Sequence, residues 1–600
     1  MKQLPKQPAN SKSLTLLSDT SVPMYRLPLL AIFIILISTI PVEIAFTYQL
    51  PQDSADMATL IQVFDEDDDV LNRRYSVRYS HEYFDRFELF YEDWLNRLND
   101  INFEALNHRG KVDFHLLRNH IERRNYFMNL DHEQFLAIEK WLPDTEEIMS
   151  FINTRRYGTK PDSKSIAGRM DSWTEQIDSL QTVLKSSPPL MKKDANAASD
   201  ALEDIMDGLE NAYEFYNGYD MEFTWWVEEP YKNLEESWSA YAETIDEYFD
   251  AANEQIDDSG IVGNPIGREE IERRLEFEMI NYSPQELIDI AEHQFAKAEQ
   301  EMLKASQDLG YGDDWRAALE YVKEQHVRPG QKPELIMQIY NESMDFIESR
   351  DLLTIPPLSK EVWRMEMMSP ERQLIAPFFL GGEVILISYP TNTMEHDAKL
   401  MSMRGNNPHF NRAIVHHELI PGHHLQGFMN RRYSTYRAPF RTPFWSEGWA
   451  LYWELLLWDM DFSETPEDRI GMLFWRTHRY ARIIFSLNYH LGNWTPQQAI
   501  DYLVNRVGHE VANAEAEVRR SFTGNYGPLY QIAYMIGGMH FYSLYQELVE
   551  NGTMTAREFH DKILKEGSIP VRMVKSILTD EELVKDEIDN WQFSDYIYEE

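Results

Sequence analysis

The sequence has no cysteine at any of its 600 positions. Disulfides, thiolate metal sites and cysteine nucleophiles are therefore excluded, and a zinc ion could be held only by His, Asp or Glu. Positive charge is scarce: 57 Lys and Arg stand against 100 Asp and Glu, for a formal net charge of −43. So acidic a surface repels phosphate backbones, which argues against a nucleic-acid partner. The same field favours solubility and would attract cationic substrates. Internal repeats and low-complexity tracts are absent. The N-terminal apolar run, Leu29 to Ile40, follows Lys2, Lys6, Lys12 and Arg26 and is interrupted by Pro41 and Glu43. It is shorter than the roughly 20 residues that a membrane span needs. With its basic flank it reads as the apolar region of a signal peptide, or as an uncleaved membrane anchor. Residues 1–50 are thus expected to direct export, periplasmic or extracellular, and to lie outside the folded body.

What remains is rich in core material. Hydrophobic residues make up 43% and aromatics 13% of the chain, enough to fold a large globular body rather than a disordered one. From about Asp56 the pattern is mostly that of amphipathic helix. Between His81 and Asn96, Tyr83, Phe84, Phe87, Leu89, Phe90 and Trp94 alternate with acids at near-helical spacing. Ser283-Pro284-Gln285-Glu286 and Thr495-Pro496-Gln497-Gln498 carry the marks of helix starts, a capping hydroxyl, a first-turn Pro and a reciprocating Glu or Gln. Ser186 to Pro189 and Asp257 to Gly267 are breaks. One segment departs from helix: Val384 to Ile387, between Gly381-Gly382 and Tyr389-Pro390, predicts a short strand. Such a strand is either core or an edge to which an extended peptide could add. The expected fold is all-α with this small β element near the site. Residues 51–600 should form one helical unit of two lobes around a central cleft, with the chemical motifs within 380–540.

The densest chemical signal is His416-His417-Glu418-Leu419-Ile420-Pro421-Gly422-His423-His424, which holds four of the chain's 18 His. His is the commonest zinc ligand, and an adjacent carboxylate can activate water. The usual H-E-x-x-H arrangement sets two His one helical turn apart. Here Pro421 occupies that position and cannot ligate. His417 and His423 would lie roughly 120° apart on an unbroken helix, so they converge only if the helix is broken between them. Pro421-Gly422 supplies the break. His424 is the rival second ligand. It falls on the His417 face but roughly 10 Å further along the axis, and His423 is preferred. Glu447, in Ser446-Glu447-Gly448-Trp449, is the candidate third ligand, with Gly448 allowing close backbone approach. Glu454 competes with it. A third cluster, Arg519-Arg520 through Tyr526 to Tyr534, offers Tyr530 and Tyr534 as donors to a developing oxyanion and Arg519 or Arg520 as anchors for a substrate carboxylate. The run from His478 to His490 adds Arg482 and His490.

These motifs resemble the bacterial domain-of-unknown-function 885 family. His417-Glu418-x-x-Pro421-Gly422-His423-His424-Leu425-Gln426 is similar to its first motif and Glu447 to Tyr452 to its second. Gln531 and Tyr534 are similar to its C-terminal Gln-x-x-Tyr element. The pattern around Arg482 and His490, leading into Trp494-Thr495, is similar too, although Ser486 and Asn488 stand where members often have Asp and Gly. The segment before Gln-x-x-Tyr is also longer than in many members. The resemblance implies a helical, zincin-like and often exported protein, with Gln531, Arg482 and His490 on the substrate side. The spacing to Glu447 also resembles metallopeptidases of the angiotensin-converting-enzyme type, in which a downstream Glu completes the zinc site.

The expectation is then a zinc metallopeptidase acting on short peptides. His417, His423 and Glu447 hold Zn2+, and Glu418 takes a proton from the attacking water and passes it to the leaving amine. The alternatives are a catalytically silent peptide- or metal-binding protein with the same cleft and a hydrolase of another amide. An intact Glu418 argues against silence, because a mere metal binder needs no general base.

Overall fold

Short polar side chains start most of the long helices, because the first N–H groups of a helix have no partner within it. Ser283 accepts from Glu286 N while Glu286 accepts from Ser283 N at 2.7 Å, opening helix Pro284–Asp308 with a reciprocal cap. Thr495 and Gln498 repeat this at helix Pro496–Tyr502, again with Pro in the first turn. Asn407, Thr442 and Thr465 cap helices Pro408–Glu418, Pro443–Asp459 and Pro466–His490, each of which also begins on Pro.

The result, in the computed structural model, is an all-α protein. Residues 54–248, 257–375, 381–523, 526–588 and 591–593 are described. The expected N-terminal targeting segment lies outside them. Among the described residues no helix is long and apolar enough to cross a membrane. From Leu50 onward the chain makes one compact unit.

Peripheral helices are one-sided. Helix His81–Asn99 buries Phe84, Phe87, Phe90, Tyr91, Trp94 and Leu98 and leaves its acids outside. The central helices are buried nearly all round, so the charged groups they carry, Glu447, Glu454, Arg479 and Arg482 among them, lie inside the protein. Trp445, Trp449 and Trp453 on Pro443–Asp459 are fully enclosed, and Trp445 stacks on Trp449 with ring centres 5.6 Å apart.

Helices Pro443–Asp459 and Tyr530–Tyr545 touch backbone to backbone. A Cβ on Gly448 would fall 2.6 Å from Gly537 Cα, and one on Gly537 would fall 1.9 Å from the Phe444 carbonyl oxygen. Only glycine permits so close a crossing. It sets Glu447 on one helix beside Tyr530 and Tyr534 on the other.

The strand expected at Val384–Ile387 (β2) is present. It pairs in parallel with Arg364–Met367 (β1), with Met365 opposite Ile385 and Met367 opposite Ile387. These two strands are the whole sheet among the described residues. Beyond β2's glycine entry the chain presses on the His-rich motif: Gly382 N donates to the Glu418 carbonyl at 3.3 Å.

Candidate metal centre

Helix Pro408–Glu418 stops at Glu418, and a new helix, His423–Asn430, starts at His423. Leu419 (φ −103°, ψ −108°) and Gly422 (φ −77°, ψ −135°) leave helical geometry, and the Ile420–Pro421 bond is cis. The chain folds back so tightly that Gly422 N donates to the His416 carbonyl at 3.0 Å. A Cβ on Gly422 would sit 1.7 Å from the His417 carbonyl oxygen, so no other residue fits. Trp449 braces the turn from across, its Nε1 donating to the Pro421 carbonyl at 2.9 Å.

This break brings His417 and His423 together, with ring centres 4.9 Å apart. Glu447 joins them. One ligand atom from each of the three residues falls within 4.8 Å of the others. Glu447 Oε2 lies 3.2 Å from His423 Nε2 and 3.7 Å from His417 Nε2, yet it is buried and accepts no hydrogen bond. Two imidazole nitrogens and an unsatisfied carboxylate oxygen facing one point are the donor set of a borderline-soft divalent cation such as zinc. These residues therefore fit the ion that the motif implies.

The outward nitrogens are held in place. His417 Nδ1 lies 2.7 Å from Glu454 Oε1, which Arg479 approaches at 3.5 Å. His423 Nδ1 faces Gln426 Oε1 at 3.4 Å, and Gln426 Nε2 donates to the Ser446 carbonyl at 2.8 Å. Such partners fix the ring orientation and leave Nε2 for a metal. The titration behaviour agrees. Burial alone would lower both imidazole pKa values, but Glu447 overrides it and lifts His423 to about 9. The carboxylates of Glu447 and Glu454 likewise raise His417. Glu447, which burial would raise, is instead held well below the carboxylate range by His423 and His417. Protons here occupy the place of a cation, and a metal would displace them. Glu454, the rival candidate for third ligand, instead holds the His417 ring. Glu454→Ala is expected to weaken zinc binding by about 10–100-fold, measured by competition with a chromophoric chelator. His424→Ala should leave it unchanged in the same assay. His424 points away, its Nε2 at 2.7 Å from the Ser359 carbonyl oxygen.

Glu418 stands beside this set. Burial raises its pKa, the two imidazoles oppose that, and Glu447 reinforces it. A carboxylate so placed is a stronger base than one in water. Gly381 packs directly on it, since a Cβ there would lie 2.4 Å from Glu418 Cβ.

The two tyrosines separate in role. Tyr530 donates its hydroxyl hydrogen to Glu447 Oε1 at 2.5 Å. Tyr534 stacks near His417, with ring centres 6.4 Å apart, and lies under the guanidinium groups of Arg479 and Arg482 at 4.7 and 4.5 Å. Arg482, Arg520 and Gln531 share a partner that the sequence does not reveal, the buried Glu517. Arg482 Nε reaches it at 2.6 Å and Gln531 Nε2 at 3.1 Å, and Arg520 forms an ion pair with it. Burial would raise Glu517, but Arg482 and Arg520 bring it down to about 2. Arg519 is exposed, and no ion pair or hydrogen bond links it to the three clustered residues. His490 is buried against Tyr489 and Phe522 at the end of its helix, where burial lowers its pKa to about 4.

Glu454, Arg479, Gln426 and Glu517 escape the sequence reading as supports. Glu454 had a detectable signal, its place two turns beyond Glu447 on the same face. Arg479 precedes Arg482 by one turn. Glu517 has only a weak local signal, Arg520 three residues on; its other partners, Arg482 and Gln531, come from two other helices.

The model of a family of bacterial proteins of unknown function, DUF885, matches residues 57–578. Nothing among curated proteins matches. Two solved structures are similar. One is described as a "putative lipoprotein of unknown function" from Shewanella oneidensis, with a TM-score of 0.63 and 17% identity over 88% of this chain and 99% of that one. The other is a "putative lipoprotein" from Colwellia psychrerythraea, with a TM-score of 0.55 and 17% identity over 88% of this chain and 100% of that one. At that identity the likeness is one of fold.

Proposed function

The chain belongs to this DUF885 family, and from that premise we propose that it is a zinc-dependent peptidase acting on short peptides. The observation that carries the reading is the convergence of His417, His423 and Glu447, with the orphaned Glu447 Oε2 at its centre and Glu418 alongside. Zinc held there would supply Lewis acidity toward a peptide carbonyl and lower the pKa of water.

The protein's own groups do the rest. Glu418 takes the proton of the attacking water and returns it to the leaving amine. Tyr534 donates to the developing oxyanion, because the hydroxyl of Tyr530 is already committed to Glu447. Glu454 and Gln426 orient the two imidazoles. Tyr534→Phe should lower kcat by about 10²–10³-fold with metal content unchanged, a loss read by steady-state kinetics. Tyr530→Phe should act through Glu447 and weaken zinc retention.

The decisive test is digestion of a mixed library of short peptides by the purified protein, before and after chelation. Cleavage that vanishes with the metal and returns with zinc supports the reading. A zinc-loaded protein that cleaves nothing would leave a silent binder.

Export belongs to the same proposal. The two similar structures bear the name lipoprotein. This sequence has no cysteine to carry a lipid thioether, so its own means of export or anchoring would be the apolar run Leu29 to Ile40. Fractionation of cells producing the protein tests this, and residence in the cytoplasm would refute it.

A further inference from the structure

A cavity of about 380 Å³ lies between the N-terminal helices and the start of the Glu447 helix. Its volume is within the range of small-molecule sites, about 300–1,000 Å³. Its charge is unexpected. In a chain of net charge −43, the lining carries four arginines, Arg78, Arg123, Arg124 and Arg441, against two carboxylates, Asp131 and Glu278.

Two of the arginines are neutralised. Arg123 pairs with Glu278 at 2.7 Å, and Arg124 with Asp68 at 2.5 Å. Among the described residues neither Arg78 nor Arg441 forms an ion pair, although the charge of Arg78 acts on Asp131 in the same lining and opposes the effect of burial there. His120, also in the lining, is held neutral: burial, then the neighbouring Arg124 and Arg123, lower its pKa to about 3. Aromatic side chains, Tyr83, Phe127 and Phe440 among them, also line the cavity.

Two guanidinium groups outside any ion pair, beside aromatic side chains, suit one chemistry, a carboxylate borne on an apolar residue. We infer that this cavity binds the carboxylate end of a peptide whose last residue is apolar or aromatic. A phosphate would use the guanidinium groups but leave the aromatic walls unfilled. The site is distinct from the metal centre and does not depend on zinc, yet the two are near each other. Thr442 lines the cavity and caps the helix on which Glu447 stands five residues later, roughly 7.5 Å along the axis.

The test is calorimetric titration of the full chain with N-acetyl-Ala-Phe and with its C-terminal amide. The acid should bind at least tenfold more tightly than the amide. Arg78→Gln with Arg441→Gln should abolish that preference. Both arginines are exposed, so circular dichroism and melting should be unaffected. Arg557→Gln, an exposed arginine elsewhere, should bind like the native chain. Binding should also survive His417→Ala, which separates this site from the metal centre. Equal affinity for acid and amide, native affinity in the double variant, loss of binding in His417→Ala, or equally effective competition by inorganic phosphate would each overturn the assignment.

Discussion

Chains carrying His417→Ala should hold no zinc under conditions in which the native protein holds about one ion per chain, and Glu418→Gln should hold it fully while losing about 10²–10⁴-fold in peptide cleavage. The two outcomes differ because the residues face the site differently. His417 offers Nε2 to the common point, with Nδ1 locked by Glu454, and alanine leaves two donors where three converge. Glu418 contributes no atom to that set. Its glutamine keeps the shape that Gly381 packs against but cannot accept the water's proton. Elemental analysis and initial rates on the same preparations check both. A fully active metal-free protein, or an active Glu418→Gln variant with native rates, would end the peptidase proposal.

Gly422→Ala is expected to be the most damaging single methyl group in the chain. It would place a carbon 1.7 Å from the His417 carbonyl oxygen and 2.7 Å from that of His416, both backbone atoms that cannot turn aside. Relief requires the turn to open, and opening it carries His423 away from His417 and Glu447. The expected loss is about 3 kcal/mol of stability, at the upper end for overpacking, together with more than a hundredfold in zinc affinity. Gly427→Ala is the matched control on the helix that follows. Its nearest neighbour would be Arg431 Nη1 at 3.7 Å, and alanine should stabilise that helix by up to about 1 kcal/mol. Denaturant melts and zinc titrations of the pair check the contrast. Equal behaviour of the two variants would show that the tight turn is not what holds His423 in place.

Much of this was legible because it is written locally. The caps at Ser283 and Thr495, the breaks near residues 186–189 and 257–267, the strand at Val384–Ile387 and the interruption at Pro421-Gly422 depend on neighbours a few positions away. The choice of His423 over His424 followed from helical geometry, and the structure turns His424 toward Ser359. What was not legible is long-range. β1 is only weakly marked, four alternating residues without a β-branched or aromatic member, and its strand conformation is fixed by pairing with β2. Glu454 and Glu447 share one helix and one chemistry, and only the position of His417 between them divides ligand-facing oxygen from supporting oxygen. Arg482, Arg520 and Gln531 read as substrate-side groups from the sequence, and Glu517 placed among them occupies all three.

The contact of Gly448 with Gly537 has a thermodynamic side. Because the two helices meet at their backbones, the Glu447 carboxylate and the Tyr530 hydroxyl are joined when the protein folds, before any ion or peptide arrives. Immobilising a side chain on association typically costs about 0.5–1.5 kcal/mol. Here that entropy is lost in folding, so whatever binds at the centre meets a preorganised wall and keeps more of its contact energy as affinity.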